Sequence, residues 1–201
     1  MAAVKCEKQP VIKPGQGLLD NVVSDATQVT LPLWEALGAT PNMLTTLGLV
    51  STIMCIYLYY ENNLWCLFFL MLRTYFDWAD GQLARKRGPI TKFGDYLDHF
   101  SDGLCLLGIV IVSMYRYKTT KPEILVFILV WVNSWGYMGC LEKECGACCE
   151  ADGFINRYFG PLCNDISRRL GYFVDIAAIT VVTGVIMYRH MQRERSSTTA
   201  F

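Results

Sequence analysis

Five aspartates crowd the stretch DWADGQLARKRGPITKFGDYLDHFSD, from Asp77 to Asp102. Asp77 and Asp80 are three apart, and Asp98 and Asp102 are four apart, so on helices each pair shares a face. A short turn between two such helices makes them antiparallel neighbours, and four carboxylates then converge at one depth. Alone they would repel one another and partly protonate. Hard divalent cations suit them better, since Mg²⁺ takes few carboxylates together with waters and substrate phosphates. Two such ions could bridge a diphosphate and neutralise charge developing on it. The neighbouring residues fit that chemistry. Gly81 and Ala84 leave room for a ligand near the backbone, and Arg85 offers a charged fork for a phosphate. Gly94 opens the next helix without a side chain. Asp95 falls in the first turn of that helix, where a carboxylate suits the macrodipole, so its expected role is structural. The blander reading is a set of carboxylates on helix ends, paired with Arg85, Lys86 and Arg87; each aspartate taken singly favours it.

The elements that must position these residues are apolar. The chain is 53% hydrophobic with a mean hydropathy of +0.28, which leaves little to form a wetted globular surface. Net charge is zero and the basic residues are scattered, which argues against a nucleic-acid partner. Residues 1–17 read as a flexible cytosolic tail without the apolar core of a signal peptide. Over residues 18–40, Leu18, Val22, Ala26, Val29, Leu33 and Leu37 recur at helical spacing, with a break expected near Pro32. Lying in the membrane interface and packing on protein are equally good readings of that helix. A crossing helix needs about 20 mostly apolar residues. Five clear spans follow, at Asn42–Tyr60, Leu64–Asp80, Asp95–Tyr115, Pro122–Leu141 and Gly171–Tyr188. A sixth, within Ile155–Ile166, would be short or broken. Basic residues in the DGQLARKRG turn place that turn, with the acidic cluster beside it, and the N-terminus in the cytosol by the positive-inside rule. An even count would return the basic C-terminus to the same side, which favours six. The expected architecture is an all-α polytopic transmembrane bundle over residues 41–190, preceded by an interfacial amphipathic helix and followed by a polar tail, 191–201.

The acidic stretch resembles the signature of the CDP-alcohol phosphotransferases, D-x2-D-G-x2-A-R-x8-G-x3-D-x3-D. Asp77, Asp80, Gly81, Ala84, Arg85, Gly94, Asp98 and Asp102 match it without departure. At about one in twenty per fixed position, eight matches arise by chance on the order of once in 10¹⁰ start sites. The likeness in layout reaches over residues 18–115. It implies an integral-membrane transferase of phospholipid biosynthesis. Such an enzyme moves a substituted phosphoryl group from a CDP-alcohol to an acceptor alcohol and releases CMP, one alcohol being a lipid. The resemblance also implies that Asp77, Asp80, Asp98 and Asp102 hold two Mg²⁺ or Mn²⁺ ions, that Asp102 is the general base, and that Gly81, Ala84, Arg85 and Gly94 line the CDP diphosphate pocket. It further implies a homodimer, in the endoplasmic reticulum if the host is eukaryotic.

The identity of the alcohols is less legible. Gly103 follows Asp102, where inositol-using members tend to carry Arg and phosphatidylglycerophosphate synthases Lys. The pair Asp98-His99 looks more like the choline and ethanolamine enzymes, so an amino-alcohol or serine headgroup is preferred. His99 itself reads better as a buried polar residue with a local partner. Cys140, Cys145, Cys148 and Cys149, with Cys163 beyond, leave acylation, metal binding, a disulfide or no special role open. Two competing functions are weighed. A divalent-cation transporter would need carboxylates along a path, and here they sit at one side. A catalytically inactive homologue would be expected to lack an aspartate, and none is lost.

Overall fold

A computed structural model describes residues 18–87, 92–145 and 160–198. They form six helices: α1 (Leu18–Ala36), α2 (Pro41–Tyr60), α3 (Trp65–Arg87), α4 (Lys92–Tyr115), α5 (Lys121–Cys145) and α6 (Asp165–Thr198), with a single 3-10 turn at Gly160–Leu162 before α6. The all-α bundle expected from the sequence is what forms. The helix ends follow from local chemistry. Gly38 adopts φ 70°, and the Gly38 and Ala39 amides close onto the Glu35 and Trp34 carbonyls, a left-handed stop that turns α1 into α2. Thr40 then caps α2 by accepting from the Met43 amide at 3.3 Å, with Pro41 in the first turn. At the other end of α2, Asn62 (φ 56°) repeats the same closure toward Leu58 and Tyr59.

Side-chain contacts give the helix directions. Thr45 meets Asp80 while Gly48 lies by Phe76, so α2 and α3 are antiparallel. Tyr59 bonds Ser113 at 2.8 Å and Gly108 lies against Ile56, so α2 and α4 are parallel. A Cβ on Gly108 would run into the Ile56 side chain, which would have to move to admit it. Asn133 meets Asp175 and Glu123 meets Arg189, so α5 and α6 are antiparallel. One apolar core draws on five helices, α2 to α6, through Cys55, Leu70, Ile109, Phe127 and Ile179 among others. A second core under α1 gathers Leu31, Leu44, Phe76, Ala79 and Leu83.

The outside of the bundle is apolar as well. Val50 and Ile53 of α2, Leu107 and Ile111 of α4, Leu125 and Leu129 of α5, and Val181 of α6 are all exposed. Faces of this kind are stable against lipid rather than water. The protein is an all-α, polytopic membrane-helix bundle with several apolar spans. Among the described residues three helices are long and apolar enough to cross: Pro41–Tyr60, Tyr96–Tyr115 and Val174–Ser197. By length and composition, then, three helices qualify where the sequence led to an expectation of five clear spans and a doubtful sixth. The expected second and fourth spans are helices, α3 and α5, of 23 and 25 residues. Their inward polar residues, Arg73, Thr74, Asp77 and Asp80 in α3 and Asn133 and Ser134 in α5, dilute their apolar character. The residues that build the interior of the bundle are the ones that hide these helices from a hydropathy count.

Three further expectations change. The DGQLARKRG segment is no turn up to Arg87: α3 continues through it, because Ala79 and Leu83 are buried in the second core and Gln82 is tied to α1. Gln82 Nε2 donates to Thr27 Oγ1 at 2.5 Å and to the Ser24 carbonyl at 3.1 Å. Next, α1 does not break near Pro32 but runs to Ala36. Pro32 and Gln28, whose carbonyl loses its helical donor, are both exposed, so solvent can serve that carbonyl. The face of α1 that packs on α3 is mixed, with Ser24 and Thr27 beside Leu31 and Trp34. Trp34 Nε1 donates to Tyr75 Oη at 2.8 Å, and Tyr75 Oη to Thr30 Oγ1 at 2.6 Å, while Val29, Leu33 and Leu37 stay exposed. The two readings of α1 are therefore compatible, since protein takes one face and the apolar stripe remains outward. Finally, a disulfide joins Cys140 to Cys163, tying the end of α5 to the start of α6. Residues 146–159, including Cys148, Cys149 and the first five residues of the expected sixth span (155–159), lie outside the described residues, as does the Cys145 side chain. The described part of that expected span, residues 160–166, holds the 3-10 turn and the start of α6. The end of α6 lies at the opposite end from the aspartates, where Arg116, just past α4, meets His190 at 3.3 Å.

Candidate active site

The acidic site forms where the C-terminal half of α3 meets the N-terminal half of α4. Each of Asp77, Asp98 and Asp102 offers a carboxylate oxygen, and these three atoms lie within 4.8 Å of one another. Asp98 also shares a hydrogen bond with Asp77 and interacts with Asp80. Carboxylates so close are stable only with a proton or a cation between them. Three hard oxygen donors at that spacing fit a divalent cation, whereas a softer metal would want thiolate or imidazole ligands. Asp80 stands slightly apart from this trio. It is buried, and its carboxylate accepts a hydrogen bond from Thr45 of α2.

Gly81 and Ala84 continue the helical stripe that begins at Asp77, four and seven residues on, and neither carries a side chain that would fill the space beside it. The Arg85 and His99 side chains, and the surroundings of Gly94 and Asp95 in the first turn of α4, lie outside the described residues.

Sequence reasoning missed the cation of this site. Arg73 of α3 is only 3% exposed and pairs with Asp77 at 3.4 Å, and it also pairs with Asp102. Its fork thus joins the two acidic helices at the carboxylates themselves. The signal was present: a lone arginine within LWCLFFLMLRTYF is costly in a membrane unless it has a partner. Thr45 carried no comparable signal, because a threonine in a span is ordinary.

A cleft opens beside Asp102 and Arg73 and is closed on its far side by α5 and α6. Its cavity volume is about 80 Å³. Asp175 of α6 faces it and is 3% exposed. Asn133 Nδ2 donates to its two oxygens at 3.0 and 3.1 Å, and Ser134 Oγ donates at 2.6 Å. Trp131 and Trp135, with ring centroids 6.3 Å apart, complete the wall. Asp175, too, was legible in principle, as a single carboxylate in the apolar run GYFVDIAAITVV.

The sequence pattern of the CDP-alcohol phosphatidyltransferases matches residues 38–141, just over half of the chain, and takes in every member of the acidic site. The chain belongs to this family. It is 36% identical over 127 residues to an archaetidylinositol phosphate synthase of Pyrococcus horikoshii, an overlap of 61% of this chain and 65% of that relative. The chain therefore spans somewhat less than two thirds of the length of the curated relative it matches. No solved structure matches it. As a CDP-alcohol phosphatidyltransferase family protein, it carries the family's acidic signature on two helices that the bundle clamps together through Arg73.

Proposed function

We propose that this protein is an integral-membrane CDP-alcohol phosphotransferase of phospholipid biosynthesis. The observation that carries the reading is the meeting of Asp77, Asp98 and Asp102 within 4.8 Å, in a chain of this family. Asp77, Asp80, Asp98 and Asp102 would hold two Mg²⁺ or Mn²⁺ ions. When bound, such ions supply charge neutralisation on the diphosphate and on departing CMP. Gly81, Ala84, Arg85 and Gly94 border the diphosphate. Asp102 accepts the hydroxyl proton of the acceptor alcohol, which is a poor nucleophile until that proton has somewhere to go. A bond forms from the acceptor oxygen to the β-phosphorus, and the bond from that phosphorus to the oxygen of CMP breaks. Arg73 holds Asp102 and Asp77 in register, so that the base and a ligand helix keep fixed positions.

In the same reading α3 and α5 also cross the bilayer, shielded by the three apolar spans, which makes five traverses among the described residues. Helix α1 lies at the interface with its apolar stripe in lipid, the basic end of α3 places the acidic site at the cytosolic face, and the protein works as a homodimer. Cys140 is buried, which limits access of cytosolic thiols to the disulfide at that end.

The test is CMP release from membranes containing the protein. CDP-diacylglycerol is offered with serine, ethanolamine, inositol, inositol phosphate or glycerol 3-phosphate, and CDP-choline and CDP-ethanolamine with diacylglycerol. Release with one pair, abolished by EDTA and absent with Asp102→Asn, is the expected result. Failure of every pair, together with no measurable CDP binding, would overturn the reading.

A further inference from the structure

We propose that the end of the bundle opposite the aspartates holds a phosphate-binding notch, and that it takes the headgroup of an anionic phospholipid. The notch shares no residue with the acidic site, so it is independent of the transferase reading. It lies where the turn after α4 meets the last turns of α6. Lys118 comes from that turn, Glu123 from the first turn of α5, and Arg189 and Arg193 from α6. Three cations thus face one carboxylate, and that carboxylate is already engaged. Glu123 Oε2 accepts from the Thr120 amide at 2.9 Å and from the Thr120 hydroxyl at 2.7 Å, which caps α5, while Oε1 accepts from Arg189. Among the described residues neither Lys118 nor Arg193 has an acidic partner. Arg116 stands beside His190, and Glu194 lies 3.5 Å from the other ring nitrogen, so the wider surroundings add one charge of each sign. The local balance stays positive. A lysine and two arginine forks converging from two elements suit a phosphate.

The backbone adds a second observation. Lys118 closes α4 with φ 50°, while the Thr119 amide reaches back to the Ser113 carbonyl at 3.2 Å. Glycine fills such a left-handed stop with less strain. A lysine there costs stability, and its unpaired charge is what the position gains. The third observation separates a lipid from a free ion. Val181, Val185, Arg189 and Arg193 recur every fourth residue along one side of α6, so two exposed valines lead up to the two cations. Tyr115 and Tyr188, also exposed, stand at the level where aromatic rings meet headgroups. The notch itself is small. Its cavity volume is about 20 Å³, room for roughly one water-sized group. It admits one phosphate oxygen and leaves the rest of the ligand outside. That suits a headgroup whose chains run down α6, and it is a poor enclosure for a free ion.

Cations at the end of a span also attract anionic surfaces diffusely, so the experiment must separate a site from a band of charge. The purified full chain is unfolded thermally in mixed micelles of detergent and phosphatidylcholine, with and without phosphatidic acid. EDTA is present throughout, so that no metal bridges a lipid phosphate to the aspartates. Inorganic phosphate in phosphatidylcholine micelles is the soluble arm. Phosphatidic acid should raise Tm by about 3 °C or more, as for a ligand well above its dissociation constant. The rise should shrink as salt goes from about 0.1 M to about 1 M. Lys118→Gly suits the left-handed backbone, so its Tm without anionic lipid should match or exceed that of the wild type. The rise with phosphatidic acid should nonetheless fall by at least half in Lys118→Gly and in Arg193→Gln, and vanish in the double variant. Lys121→Gln removes a neighbouring exposed cation that does not line the notch and should keep the full rise. No rise in the wild type, or a rise that survives in the double variant, would overturn the proposal. A rise lost equally in Lys121→Gln would reduce the notch to diffuse attraction and overturn it as well. An equal rise with inorganic phosphate would overturn the assignment to a lipid.

Discussion

Replacing Arg73 with methionine keeps most of the side chain's length and removes its charge. In the native protein the Arg73 guanidinium is buried and faces two carboxylates on two helices, Asp77 at 3.4 Å and Asp102. Breaking one partner out of a buried ion pair costs about 3–5 kcal/mol, because the remaining charge is stranded. Here the carboxylates are 16% and 28% exposed, so solvent recovers part of that cost and the lower end, about 3 kcal/mol, is the better figure. For a chain of this size each kcal/mol lowers Tm by about 2–4 °C, which gives a drop of roughly 6–12 °C. The assay is thermal unfolding of purified protein in detergent, run in EDTA and then in Mg²⁺. Without Arg73 the trio of carboxylates is more negative and gains more from a divalent ion, so Mg²⁺ should raise Tm further in Arg73→Met than in the wild type. The double variant Arg73→Met, Asp102→Asn should be less destabilised than the sum of the single ones, by about 0.5–3 kcal/mol. Arg73→Lys, which keeps the charge and loses the fork, should fall between. A Tm within 2 °C of wild type in EDTA, or strict additivity with Asp102→Asn, would refute the claim that Arg73 offsets the charge of this site.

Asp102→Asn should lower CMP release at least a hundredfold while CDP binding, read by calorimetry with Mg²⁺ present, changes less than threefold; near-normal turnover would remove Asp102 as the base. Arg85→Ala should raise the apparent KM of the CDP donor at least fivefold more than that of the acceptor, and the opposite ratio would put the diphosphate elsewhere. Gln82→Leu removes the hydrogen bonds from Gln82 to Thr27 Oγ1 and the Ser24 carbonyl that dock α1 on α3, at about 1–3 kcal/mol in all; limited proteolysis should cut α1 free faster than in the wild type. Gly108→Val forces a side chain into Ile56 and should destabilise by about 1–3 kcal/mol in the same unfolding assay.

The sequence alone determined the acidic signature and the class of the fold. Spacing of three and four puts Asp77 and Asp80, and Asp98 and Asp102, on common helix faces whatever surrounds them, because helical geometry is local. The apolar runs demand helices in lipid for the same local reason, as backbone groups must be satisfied within each segment. The stop at Gly38 and the cap at Thr40 belong to this local class as well. Tertiary structure decided what depends on partners distant in the chain. Hydropathy rates α3 and α5 low because it cannot see that Arg73, Asn133 and Ser134 point inward, toward Asp77, Asp102 and Asp175. The apolar stripe of α1 could be read from periodicity, but not that the opposite face, through Thr27, Thr30, Leu31 and Trp34, would be the one to meet α3. The pairing of Cys140 with Cys163 was one possibility among several until α5 and α6 were seen to start and finish together. Arg73 and Asp175 stood in the sequence as lone charges in greasy runs. Only the packing of four helices around one cleft gave each of them a partner and a direction, because the electrostatic cost of a buried charge is met by whatever the fold brings beside it.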